Sequence, residues 1–390
     1  MQSSAHAKKV LIYKADLLHL SETFIREQVI SYQQWTALLV GMRRVEGLSL
    51  DGLDVRLLGD AQGKFLQACE RVRKRLNLPN PNSVRQLKHE NAALVHIHFG
   101  TEAVEFWPIA RRLDVPMIVT LHGYDITVHK ESWERGDDGA SKALYPRRLL
   151  EMSRAPRTYF VAVSSAIRQC AIDFGIPAER VRVQYIGIDL TLFKPGAVPI
   201  TQRSRRILYV GRLVEKKGVS ILIEAYARVF SKVADAELVI VGDGPLRQQL
   251  EALAIRLGVR VVFAGSMGRE QVKQQLDAAR VFCLPSVTAQ NGDAEGFGLV
   301  LLEAQASGVP VVTSARGGAH EGIIEGETGL SFAEKDVAAL TDHLAALLTD
   351  DPRITRMSQA GPGFVARNFD VRQCTRSLER LYDDVVHVAA

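Results

Sequence analysis

Two doubly wound α/β domains facing a central cleft, followed by a helical tail, are the architecture this sequence predicts. Short aliphatic, β-branched runs alternate with longer amphipathic runs along the chain. The short runs are almost continuously apolar, as strands of a parallel sheet covered on both faces must be. The rhythm also occurs twice, on either side of a Gly/Pro-rich break. At 390 residues and 47% hydrophobic composition, the chain can fill two cores.

In order, the strands expected in the first half are "KVLIY", "TALLV", "LVHIHF", "PMIVTLHG", "TYFVAVS" and "VRVQYI". Helix-like stretches separate them at 21–33, 64–76, 101–112 and 164–174. The break is "GIDLTLFKPGAVPITQRSRR" (187–206), where Gly187, Pro195, Gly196 and Pro199 precede a polar run and a fresh strand. The second half then reads "RILYVG", "AELVIVGDG", "VVFAGS", "VFCLPS" and "VPVVTS", with helices near 218–231, 245–257, 269–279 and 299–307. Beyond about 333 the pattern is helical only, at 335–348, 352–367 and 371–387. The expected domains are 1–195 and 196–370, with 371–390 packing back toward the first.

Composition excludes several classes. The start, "MQSSAHAKKVLIYKAD", has no long apolar core, and no run approaches the roughly 20 apolar residues of a membrane span. Cys69, Cys170, Cys283 and Cys374 have neither CxxC nor Cys/His metal spacing, so a reducing, cytoplasmic setting is expected. The net charge of +5 is concentrated in residues 1–195, with 27 Lys+Arg against 21 Asp+Glu. Such a basic half is a solvated surface or a partner for an anionic group. The stretch "KFLQACERVRKRL" (64–76) leaves two readings, a peripheral amphipathic contact with the inner membrane surface or an ordinary packed helix.

Ligands of open α/β sheets bind beyond the carboxyl ends of the strands, so the motifs there matter most. In "YVGRLVEKKG" (209–218), Gly211 ends a strand, and Arg212 and Lys217 flank a short loop before Gly218 opens a helix. Two cations beside a helix N-terminus suit a phosphate or diphosphate. "VGDGP" supplies a tight turn at Gly242, Asp243 and Gly244. Neither it nor "GFGLVL" completes a G-x-G-x-x-G dinucleotide fingerprint. "TLHGYD" places His122 at a strand end, and "HIHFG" places His96 and His98 on one face of a strand. No third ligand joins them, and "GDDG" (136–139) lies in a polar loop, so no metal is expected.

"AEGFGLVLLEAQASGVPVV" (294–312) carries Glu295 and Glu303 inside an apolar run, where a carboxylate is costly to bury without a task. Gly296 and Gly298 around Phe297 allow a tight turn into a helix starting at Leu299. Eight helical residues span roughly 12 Å. Paired glycosidase carboxyls stand about 5–9.5 Å apart. The spacing therefore suits two contacts on one elongated ligand.

Together "VGRLVEKKG", "VGDGP", "LPS" (284–286), "EGFGLVLLE" and "ASGVPVV" resemble, in order, the retaining glycosyltransferases of the GT-B fold, family four of the sugar-nucleotide-dependent enzymes. "HGYD" and "SETFI" (21–25) are similar to a subgroup of bacterial exopolysaccharide and capsule transferases, although "KADLLHLSETF" replaces the usual Gly-Gly acceptor loop. The resemblance implies two Rossmann-like domains and metal-independent transfer of a hexosyl unit from a nucleotide sugar, with UDP-sugars favoured over GDP-mannose. It implies a saccharide acceptor in lipid-linked form, in polysaccharide biosynthesis, and no cofactor. Arg212 and Lys217 would hold the diphosphate, Glu295 the sugar hydroxyls and Glu303 the ribose. The backbone at Phe297, Gly298 and Leu299, with the Gly211, Gly242, Asp243, Gly244 and Gly296 turns, would line the donor. His122 would face the reacting sugar, and Ser21, Glu22, Thr23, His98 and Gly100 would line the acceptor.

Three other classes fit parts of the pattern. A sugar-nucleotide epimerase would share the architecture, but the E-x7-E stretch beside "VGRLVEKKG" argues for transfer. A nicotinamide-dependent oxidoreductase lacks its fingerprint. A non-catalytic sugar-nucleotide or lectin-like binding protein has no need of His122, Arg212, Lys217 and Glu295 together.

Overall fold

A computed structural model describes residues 7–58, 73, 78–314 and 317–389. The stretch 64–76, with both of its readings, therefore lies outside the described residues apart from Arg73. The chain forms two compact units, residues 1–186 with 371–390, and residues 187–370. Residues 187–195 thus belong to the second unit, and the terminal helix belongs to the first.

The first unit holds β1 (Lys8–Tyr13), β2 (Asp16–Leu17), β3 (Trp35–Gly41), β4 (Arg43–Arg44), β5 (Val55–Leu57), β6 (Leu94–His98), β7 (Met117–Leu121), β8 (Thr158–Ala162) and β9 (Val181–Val183). Seven of them form a sheet in the order β5-β3-β1-β6-β7-β8-β9, with every pairing parallel. The second unit holds β10 (Arg206–Val210), β11 (Glu237–Val241), β12 (Val261–Gly265), β13 (Val281–Leu284), β14 (Val311–Ser314) and β15 (Gly329–Phe332). Their order is β12-β11-β10-β13-β14-β15, again all parallel. The strand order reverses beside β1 in one unit and beside β10 in the other. Such a switch point opens a crevice at the carboxyl ends of the strands.

All eleven strand runs read from the sequence are present. The short β2, β4, β5 and β15 were not expected, because two to four residues carry too little periodic signal. Helices that position the sites are α1 (Thr23–Ile30), α2 (Gly100–Ala110), α3 (Val219–Lys232), α4 (Arg269–Ala278), α5 (Leu299–Ala306) and α6 (Val371–Ala389). No helix among the described residues is long and apolar enough to cross a membrane. Cys170, Cys283 and Cys374 are free thiols.

The terminal helix α6 is an integral part of the first core. Leu378, Leu381, Tyr382 and Val385 pack with Val10, Ile12, Leu39 and Leu94. Beneath that contact, the Glu379 carboxylate accepts hydrogen bonds from the backbone N–H groups of Gln33 (2.8 Å), Gln34 (2.8 Å) and Trp35 (3.0 Å). One side chain at the far end of the chain thus satisfies three donors where β3 begins. Glu379→Ala would orphan all three. The expected loss is about 2 kcal/mol of unfolding free energy, with Glu379→Gln costing less because its amide oxygen still accepts. Urea denaturation of the three proteins reads the difference.

Candidate active site

In the second unit the site is assembled by close backbone approach. Gly218 has φ +61°, and a Cβ there would lie 1.9 Å from the carbonyl oxygen of Pro285. The loop after β10 is thereby pressed against the segment after β13. Likewise, a Cβ on Gly242 would stand 1.9 Å from the Gly211 oxygen, so the β10 and β11 loops meet main chain to main chain. Leu213 N–H donates to the Asp243 carbonyl at 2.9 Å and secures that meeting. Such fits leave no room for a side chain, which explains both glycines.

The approach at Gly218 has an electrostatic result. Lys217 ion-pairs with Glu295, and Ser286 Oγ donates to the same carboxylate at 3.3 Å. Lys216 pairs with Asp293 at 2.9 Å. Burial alone would raise the Glu295 pKa, but the charges of Lys217 and Lys216, with the hydrogen bonds from Lys217 and Ser286, hold it below the usual value. Glu295 is therefore a carboxylate at neutral pH. Gly298, at φ +81°, starts α5, and the first N–H groups of that helix, at Leu299 and Val300, have no intrahelical acceptor. Phe297 is buried against Phe369, with ring centroids 5.4 Å apart, so only its backbone can meet a ligand.

The remaining donor-side residues are less tightly held. The exposed Arg212 side chain makes no hydrogen bond or ion pair among the described residues, although its carbonyl accepts from Tyr209 Oη at 3.0 Å. Asp243 Oδ1 accepts the Gly244 N–H at 2.7 Å, and its Oδ2 lies 3.7 Å from Arg247. Glu303 differs electrostatically from Glu295. Burial pushes its pKa up to about 7, with only partial relief from Arg269.

In the first unit the switch point gathers the ends of β1, β6 and β7. Lys14, next after β1 and 3% exposed, lies between Glu102 and Glu22, the latter at 2.9 Å. Burial would lower its pKa, but the two carboxylates raise it, so it stays an ammonium. Glu102 also accepts the Ala15 N–H at 2.9 Å, and Glu22 the His19 N–H at 3.0 Å. Beside this charged group stands a neutral one. His98 Nδ1 is 3.1 Å from His122 Nε2, and Phe24 and Phe99 flank the His122 ring at 4.9 and 4.4 Å. Burial drives the His122 pKa down to about 3 and that of His98 well below its usual value. Asp125 fixes the loop by accepting from Gly100 N (2.8 Å), His122 N (3.0 Å) and Gly123 N (3.0 Å).

The expected acceptor residues divide by depth. Ser21 is exposed and Thr23 partly so, whereas Glu22, His98 and Gly100 are buried. His98 therefore backs His122 and has no surface of its own to offer. A Cβ on Gly100 would lie 2.5 Å from Tyr145 Oη. In the "GDDG" loop, Asp137 and Asp138 pair with Arg135 and Lys142, as exposed ions do. Sequence reasoning passed over Lys14, Glu102 and Ser286 as site residues. A lysine that directly ends an apolar strand was the available signal for the first.

The chain matches the family of glycosyl transferases group 1 over residues 193–364 and Glycosyltransferase Family 4 over residues 53–192. It is 30% identical over 294 residues to the amylovoran biosynthesis glycosyltransferase AmsK of Erwinia amylovora, covering 74% of this chain and 70% of that protein. It is also 30% identical over 318 residues to the GDP-mannose-dependent alpha-(1-6)-phosphatidylinositol monomannoside mannosyltransferase of Mycolicibacterium smegmatis, covering 76% and 79%. The crystal structure of Anabaena HepE in complex with UDP and glucose shares the fold at a TM-score of 0.78. That match is 20% identical and covers 97% of this chain and 100% of that one.

The raised pKa of Glu303 has a signed consequence. Below pH 4.5, its ordinary value, the carboxyl is protonated in folded and unfolded chains alike and has no effect. Between 4.5 and about 7 unfolding releases its proton, so stability falls as pH rises, and above 7 the full penalty applies. Glu303→Gln is expected to flatten that decline, gaining on the order of 2 kcal/mol over wild type at pH 8 and nothing at pH 4. Chemical denaturation across that pH range is the measurement.

Proposed function

Because the chain belongs to the group 1 glycosyltransferases of family four and has their GT-B fold, we propose that it is a retaining hexosyltransferase using a nucleoside-diphosphate sugar. The proposed acceptor is a saccharide carried on a lipid diphosphate in exopolysaccharide assembly, a reading supported by the Erwinia relative, which is named for amylovoran biosynthesis. One observation carries the site reading. Lys217, Glu295 and the N-terminus of α5 are brought together at the switch point of the second sheet.

In this reading the ionised Glu295 accepts hydrogen bonds from donor-sugar hydroxyls. Lys217 and the free Arg212 guanidinium face the diphosphate and stabilise its charge as it leaves. Glu303 accepts from the ribose. The bond from the anomeric carbon to phosphate breaks, and the diphosphate departs with the electron pair. The acceptor oxygen bonds to the same face of that carbon, and its proton passes to the leaving phosphate oxygen. His122, neutral at working pH, contacts the reacting sugar through a hydrogen bond. Side-chain cations supply the charge, so transfer proceeds without metal.

A uridine nucleotide is the donor we favour, from the "SETFI" subgroup. The GDP-mannose-dependent relative supports the second reading, a mannosyltransferase. Calorimetric titration of the purified chain with UDP- and GDP-sugars separates them, since only the true donor should bind well below millimolar concentration. With that donor, Glu295→Ala should lose at least about 100-fold in kcat with the fold retained, and Lys217→Ala should weaken diphosphate binding about tenfold. Unimpaired turnover by Glu295→Ala, or loss of activity in EDTA, would contradict the mechanism.

A further inference from the structure

The first unit contains three histidines whose polar atoms are almost fully accounted for. His96 is held at both ends, by Tyr382 Oη on Nδ1 and by Thr120 Oγ1 at 2.7 Å on Nε2. Tyr382 is itself tied to Tyr32 Oη at 2.8 Å, which accepts from Gln28 at 3.0 Å. The His98 ring lies against His96, centroids 4.5 Å apart, so its plane is fixed from behind. Its Nδ1 meets His122 Nε2 at 3.1 Å, and its Nε2 is buried with no hydrogen-bond partner.

That orphan atom decides the protons. Each ring is neutral and carries one N–H, and the nitrogen that bears it is set by the bonds the ring makes. If His122 Nε2–H donated to His98 Nδ1, the His98 proton would sit on Nε2 as a buried N–H without an acceptor. If His98 Nδ1–H donates to His122 Nε2, the orphan is only a lone pair. Orphaned buried N–H groups are the rarer of the two. The second arrangement also leaves His122 with its proton on Nδ1, an atom without a partner among the described residues on a ring that is only partly buried.

We propose that His98 is a positioning residue that fixes His122 as its Nδ1–H tautomer, so that His122 presents a hydrogen-bond donor to an oxygen of the bound sugar. The tautomer follows from the first unit alone, and its use in transfer rests on the reading of His122 given above. The α6 helix contributes at one remove, since Tyr382 anchors His96, against which His98 stacks.

The test begins with the ligand-free full chain labelled with nitrogen-15 histidine, the His122→Ala spectrum assigning the signals. Long-range proton–nitrogen correlations should show His122 protonated at Nδ1 and bare at Nε2, and protonation at Nε2 overturns the proposal whatever the variants do. His98→Phe keeps a ring against His96 but cannot donate. Its kcat should fall about tenfold with the donor KM unchanged. His98→Asn, whose amide nitrogen can take the place of Nδ1, should recover most of that loss, which a merely structural role would not predict. If His122→Ala is impaired while His98→Phe turns over at the wild-type rate, the positioning role is refuted. If His122 is protonated at Nδ1 but His122→Ala is fully active, the tautomer stands and the sugar contact falls.

Discussion

A carboxylate at the mouth of a parallel sheet loses much of its hydration, and without compensation it would take up a proton. At Glu295 the compensation is the Lys217 ammonium, delivered by a loop that approaches Pro285 so closely that only glycine fits at position 218. The arrangement couples backbone shape to ionisation. Widening the loop by one methyl group would separate the cation from the anion it keeps charged. The second carboxylate of the same motif has only partial relief from Arg269, and burial raises its pKa to about 7. Two glutamates on one short stretch thus acquire opposite electrostatic characters.

The switch point of the first unit is organised differently. There the fixed charges form a closed set, one ammonium between two carboxylates, and the neighbouring imidazoles are neutral. Lys14 contributes to that neutrality, since its positive charge disfavours a second cation on His98 or His122. Asp125 forms no ion pair among the described residues. Its carboxylate is spent on three backbone N–H groups, which holds the His122 loop in place.

Support for this arrangement reaches across the whole chain. The α6 helix begins some 370 residues from the start of the chain yet fills the first core and supplies both Glu379 and Tyr382 to it. Its long sequence separation makes it a contact with a large loop-closure cost, which its packing against the first sheet offsets. The buried relay from Gln28 through Tyr32, Tyr382 and His96 to Thr120 is one consequence.

Much of the architecture was legible in the sequence, because parallel strands buried on both faces must be apolar throughout, and eleven such runs stand out from their amphipathic neighbours. The glycine-bounded loops at strand ends were legible for the same reason, since few residues other than glycine tolerate those turns. The reading of Glu295 and Glu303 as two separate contacts came from helical rise, whereas the structure starts the helix only at Leu299 and leaves Glu295 in the loop before it. Other features depend on residues distant in sequence. Nothing near position 14 announces Glu102, and nothing near position 96 announces Tyr382. The ionisation of Glu295, the depth of His98 and the proton on His122 are set by neighbours brought in through folding. Local pattern determines which segments become strands and turns, whereas charge state and hydrogen-bond direction depend on desolvation and partner distance, which exist only once the sheets have closed.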